Sequence, residues 1–90
     1  MKSLIIRHKV KDFSSWKKGY DDHAGARAAA GLGKGRVTRS VEDPNEVILI
    51  FEVGDMAKAK AFGASDDLKA AMRTAGVIDK PDSYFVEDAN

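Results

Sequence analysis

Ninety residues make a single domain, 1–90, and 43% hydrophobic with 32% charged residues excludes a disordered chain. Fifteen Lys and Arg against fourteen Asp and Glu leave +1, which gives no electrostatic reason to expect nucleic acid or an anionic membrane. With no cysteine, disulfides, thiolate metal sites and a cysteine nucleophile are excluded.

A chain of this size buries roughly 60–65% of the surface its unfolded form exposes. Its own core is thin, and a partner surface would add to it. The N-terminal apolar run Leu4-Ile5-Ile6 is too short for a signal-peptide core or a bilayer span. The cytoplasm is therefore the expected location.

Ser3 to Val10 is rich in Ile and lacks a helical period, so it predicts a strand. Asp12 then supplies a carboxylate suited to cap a helix. At 100° per residue, Phe13, Trp16, Tyr20, His23, Ala24 and Arg27 share one face of that helix. Gly31 reads as its C-terminal stop, and Gly33 and Gly35 extend a flexible connection. A phosphate loop is declined at Gly31-Leu32-Gly33-Lys34-Gly35, because phosphate loops precede a helix and these glycines follow one.

Arg36 to Glu42 alternates and predicts a second strand. Asp43-Pro44-Asn45-Glu46 has the chemistry of a tight turn, and Val47 to Val53 is the clearest strand in the chain. The two form a hairpin. Val47 to Val53 is apolar at nearly every position, the pattern of a strand covered on both faces. Two helices cover one face of a four-stranded sheet, and the chain has no further element for the other. A second copy, hence a homodimer, is the expected cover.

Asp55 caps the next helix, with Met56, Ala59 and Phe62 inward. Gly63-Ala64-Ser65 interrupts it, and Ser65 opens a fresh turn followed by Asp66 and Asp67. Leu68, Ala71, Met72 and Ala75 keep the helical period, and Gly76 ends it. Ser83 to Glu87 is the last strand. The order β-α-β-β-α-β predicts an α+β, ferredoxin-like sandwich with an antiparallel four-stranded sheet and helices on one face.

The chain resembles the dimeric α/β-barrel superfamily that includes the antibiotic-biosynthesis monooxygenases. It is most similar to a branch of short stand-alone proteins loosely labelled cyclase-like. The resemblance is carried by Asp12-Phe13-Ser14-Ser15-Trp16-Lys17 with Tyr20 and His23, by Asp43-Pro44-Asn45-Glu46-Val47, by Ala61-Phe62 leading to Ser65 and Leu68, and by Tyr84-Phe85. It spans about Ser3 to Glu87. It implies a dimer whose sheets pack face to face, with a pocket in each subunit between helices and sheet. In monooxygenase relatives, such pockets hold flat polyketide-like substrates without metal or flavin. No cofactor is expected here.

On the first helix, Trp16 offers a stacking wall, Tyr20 a hydroxyl, and His23 a base whose ordinary pKa of about 6.5 suits proton transfer near neutrality. A cofactor-free oxygenation needs such a base to take the proton of a phenol or enol. The plainer alternative makes Phe13, Trp16 and Tyr20 core, with His23 at its edge. Arg27 continues the same face toward a substrate. His8 shares a strand face with Leu4, Ile6 and Val10, where it either lines the pocket or packs. Arg39 suits a forked contact to an anionic group, or a solvated strand face or dimer ion pair. Tyr84 lines the pocket or packs the barrel. His8 and His23 are the two histidines, and no ligand spacing for a metal exists. An RNA-recognition module would need aromatic and basic residues on its central strands, and a hydrolase a Ser-His-Asp set. Two readings remain open: a small-molecule site with turnover, or a dimeric module that binds a ligand or partner without it.

Overall fold

The computed structural model describes residues 1–89. Its elements are β1 (Lys2–Lys9), α1 (Phe13–Asp22), α2 (Ala24–Ala29), β2 (Leu32–Arg39), β3 (Glu46–Val53), α3 (Met56–Gly63), α4 (Asp66–Thr74) and β4 (Asp82–Glu87). The strands form one antiparallel sheet in the order β2-β3-β1-β4. This is the expected ferredoxin-like sandwich, with each of its two expected helices in two pieces.

Alternation builds the core. Leu4, Ile6 and His8 of β1 lie opposite Phe51, Leu49 and Val47 of β3, and all six are buried. They face Trp16 of α1 and Ala59 of α3. Each longer helix opens on a side-chain cap of the predicted kind. Asp12 accepts from the Ser15 amide at 2.9 Å, Asp55 from the Lys58 amide at 3.0 Å, and Ser65 from the Leu68 amide at 3.2 Å. The 43–46 turn also anchors α1, since the Asn45 Oδ1 accepts from the Phe13 amide at 3.1 Å.

Two boundaries depart from the sequence expectation. The segment read as a flexible glycine connection is strand: β2 starts at Leu32 and stops at Arg39 instead of running from Arg36 to Glu42. Gly33 pairs with Glu52, and a bulge between Gly33 and Arg36 places Lys34 at φ 45°. Glycines carry no side-chain period, so backbone pairing set this strand without an apolar signal. Gly31 does end α2, at φ +77°, the left-handed position that glycine occupies without strain. The second departure is a break at His23, which closes α1 and opens α2. Asp21 and Asp22 sit at the negative end of the α1 dipole, and Gly25 is a weak helix former.

Among the described residues, no helix lies on the other sheet face. Ile5, Ile48 and Ile50 lie there with Tyr84 and Val86, because Tyr84 pairs with Ile5 and Val86 with Ser3. Tyr84 is 57% exposed. Among the described residues, no helix is long and apolar enough to cross a membrane.

Candidate small-molecule site

A cavity opens between the helical layer and the sheet, bounded by α1, α4 and the central strands. Three small residues stand where the helices meet. Gly19 of α1, with Ala71 and Ala75, forms part of the wall, and a Cβ on Gly19 would sit 3.0 Å from that of Ala75. The space is about 70 Å³, room for several waters where roughly 10–15 Å³ holds one. Its lining is apolar apart from His8, Tyr20, His23 and Arg27. The lining, apolar with a few convergent polar groups, is that of a ligand site, while the volume is well below the roughly 300–1,000 Å³ of pockets for drug-sized molecules.

Helical spacing delivers the aromatic wall. Trp16 is 3% exposed. It stacks on Tyr20 at 5.1 Å between ring centroids, tilts against Phe13 at 5.7 Å, and meets His8 edge-on at 5.5 Å. Tyr20 in turn stacks on Phe51 at 6.4 Å. The Arg27 guanidinium lies 3.6 Å above the Tyr20 ring, and its Nη1 donates to the Tyr20 carbonyl at 2.7 Å. Such a cation–π contact adds about 0.5–2 kcal/mol and holds the guanidinium at the wall. Among the described residues, no carboxylate pairs with Arg27. The His23 ring leans on Phe62 at 6.0 Å.

His8 is the polar exception in the buried core. Only 2% of it is exposed, and its Nδ1 is buried with no hydrogen-bond partner. A polar atom left so costs about 1–3 kcal/mol. Burial pushes the His8 imidazole below the ordinary histidine range; the Asp79 carboxylate and a hydrogen bond to its own backbone carbonyl oppose this, and Arg7 adds to it. Asp79 is fixed behind the strand, where its Oδ1 accepts from the Lys9 amide at 2.8 Å and its Oδ2 from Arg7 Nη2 at 3.2 Å.

Of the side chains singled out in the sequence, the cavity brings together Trp16, Tyr20, His23, Arg27 and His8. Two stand apart. Arg39 lies at the end of β2, 4.0 Å over the Phe13 ring, and its Nε donates to the Pro44 carbonyl at 2.9 Å. Tyr84 is on the opposite, helix-free face of the sheet, so it is no wall of this cavity. Strand parity decides that: Phe85 alternates toward the helices and Tyr84 away. Leu68, Ala71, Met72 and Ala75, which in the sequence only keep a helical period, form one side of the wall. Their helical period was visible, but a period does not distinguish a filled core from an open one. Among the described residues, no three His, Cys, Asp or Glu side chains converge on a metal position.

No family model matches the sequence, and no curated protein matches it. Solved structures do. One from Bordetella bronchiseptica, provisionally assigned as an antibiotic biosynthesis monooxygenase, is 15% identical over 99% of this chain and 97% of its own, with a TM-score of 0.80. One from Caulobacter crescentus with the same provisional assignment is 19% identical over 99% and 90%, at 0.75. SnoaB, a cofactor-independent oxygenase from Streptomyces nogalater, is 12% identical over 98% and 94%, at 0.71. At these identities the likeness shows the fold: this chain has the ferredoxin-like fold of antibiotic-biosynthesis-monooxygenase-type proteins.

Proposed function

We propose that this chain is a cytoplasmic homodimer that binds a small flat phenol or enol in the cavity and transforms it without a cofactor. The observation that carries the reading is the convergence of Trp16, Tyr20, His23, Arg27 and His8 on one otherwise apolar cavity. The oxygenase activity of the SnoaB structure, which shares the fold, supports the choice of chemistry. Trp16 and Tyr20 offer stacking faces, and Arg27 offers its unpaired charge to an anionic oxygen. His23 is the base. It takes the hydroxyl proton, and the electron-rich anion adds dioxygen at carbon. The resulting peroxide takes a proton back, and loss of water leaves a carbonyl. Without dioxygen, the same proton transfer drives isomerisation or cyclisation.

The dimer would cover the helix-free sheet face. Ile5, Ile48, Ile50, Tyr84 and Val86 form an apolar stripe there, the kind of surface that marks an interaction face.

A thermal-shift screen of hydroxylated naphthalenes, anthrones and polyketide-like phenols tests the reading, with His23→Ala alongside and an oxygen electrode on each hit. The expected result is a stabilising compound that consumes oxygen with wild type and not with His23→Ala, which stays folded. Stabilisation without turnover in either protein supports the non-enzymatic binding module. No stabilising compound contradicts the site.

A further inference from the structure

A ring system is larger than the space that the cavity offers it. An apolar cavity of about 150 Å³ holds benzene, and this one has about 70 Å³. A bicyclic phenol therefore enters only if a wall gives way. Most of the lining is fixed. Ile6, His8, Trp16, Leu32, Leu49 and Phe51 are all buried in the core, and Arg27 ties α2 to α1 through the Tyr20 carbonyl. The helix α4 is different. It is nine residues long and none of them is buried. Among the described residues, no α4 side chain makes a hydrogen bond or an ion pair. Its apolar side, Leu68, Ala71 and Met72, faces the cavity. An element with little buried apolar contact and no polar tie is among the first to open.

The two ends of α4 are held differently. Past its C-terminus the chain is pinned. The Gly76 carbonyl accepts from the Lys11 amide at 2.8 Å, the Ile78 amide donates to the Lys9 carbonyl at 3.0 Å, and Val77 bridges to Val10. Ala75 lies close against Gly19 of α1. Gly76 itself has φ +93°, in a region that glycine alone crosses without strain. The N-terminal end hangs from α3. The Ser65 amide and hydroxyl both donate to the Phe62 carbonyl, at 3.1 and 2.7 Å, so the last turn of α3, beyond the buried Ala59, moves with α4. Phe62 meets the rest of the wall at the His23 ring, a contact between rings with no hydrogen bond across it. We propose that α4 is a hinged wall: it pivots at Gly76 and swings its Ser65 end away from α1, opening the cavity beside His23 to a ring system. This rests on the cavity being a ligand site. The reach of the swing, and not the closed volume, then sets the width of ring that is admitted. Hinges of this kind are a few residues at element ends that absorb the backbone change.

The test measures the swing. The chain has no cysteine, and Asp22, Lys69 and Thr74 are exposed. Spin labels are placed as two pairs, Asp22→Cys with Lys69→Cys and Asp22→Cys with Thr74→Cys. Each is diluted in unlabelled protein so that distances within one chain are read by pulsed electron paramagnetic resonance. The probe is 2-naphthol, and its binding to the labelled proteins is followed by Trp16 fluorescence. A ring one atom thick adds about 3.5 Å between the atoms on its two faces. The Asp22–Lys69 distance should therefore lengthen by about 2–4 Å at saturation, while Asp22–Thr74, beside the pivot, stays. Bound 2-naphthol with the Asp22–Lys69 distance unmoved overturns the hinge and leaves the site standing. Equal lengthening of both pairs overturns the pivot at Gly76. No binding of 2-naphthol to wild type or labelled protein overturns the site and the hinge together.

Discussion

Gly35→Ala tests how the aromatic wall is held. Gly35 sits in β2 beneath the stack of Tyr20 and Phe51. A Cβ there would stand 2.8 Å from Phe51 Cε1, 2.9 Å from Phe51 Cδ1 and 2.9 Å from the Tyr20 hydroxyl. All three are closer than ordinary contact, and two belong to a buried ring that is 3% exposed. Overpacking of this kind costs about 1–3 kcal/mol. Its φ is not positive, so alanine also gains about 0.4–1 kcal/mol from a less free unfolded chain. The net is a loss of about 1.3 kcal/mol at the middle of these ranges and about 2.6 kcal/mol at most, the middle value being about 5–10 °C in Tm for a domain of this size. Gly33→Ala is the internal control, because nothing lies within 4 Å of its Cβ position. Thermal melts followed by circular dichroism should show Gly35→Ala lowered and Gly33→Ala level or raised. A Gly35→Ala protein as stable as its Gly33→Ala counterpart would refute the packing argument.

Four further outcomes follow from the geometry. His8 has a folded pKa below its unfolded value of about 6.5, so the unfolded chain takes up the proton first as the pH falls. The stability this group contributes is complete above pH 6.5. It declines below that by at most about 1.4 kcal/mol per pH unit, and His8→Asn should flatten that slope in urea melts between pH 7 and 5. Ile50→Glu places a charge on the apolar sheet face; light scattering should report twice 9.8 kDa for wild type and 9.8 kDa for the variant. Wild type at 9.8 kDa would contradict the dimer. Ser65→Ala removes the cap that accepts from Leu68 and the hydroxyl that donates to the Phe62 carbonyl at 2.7 Å. It should cost about 1 kcal/mol and weaken ligand binding, since α4 carries one wall. Gly25→Ala meets nothing within 4 Å in α2 and should raise stability by about 0.5–1 kcal/mol.

Local signals carried the fold because each had a chemical cause. Asp12, Asp55 and Ser65 announced helix starts, Gly31 an end, and Asp43-Pro44-Asn45-Glu46 a turn, and all stand where their side chains or φ angles demand. The start of β2 was hidden because Gly33 and Gly35 pair through backbone alone. The break at His23 was hidden because the 100° stripe continues across it into Arg27. The site was legible as far as one helix face reaches, from Trp16 to Arg27. Tyr84 needed the register of β4 on β1, which fixes its side and cannot be read from a five-residue run whose three central residues are all apolar or aromatic. His8 was visible as a strand residue on the apolar face. That its Nδ1 lacks a partner depends on where Trp16, Asp79 and the Tyr20 hydroxyl come to rest.

The most direct test of the ligand site uses Trp16, the single tryptophan of the chain. Incorporated 5-fluorotryptophan gives one fluorine resonance from the cavity wall, followed as 2-naphthol is added. The account predicts a saturable shift of that line, lost when a competing hydroxylated arene fills the cavity. A line that stays in place across the whole panel of hydroxylated arenes would mean that no ligand enters beside Trp16, and would contradict the site.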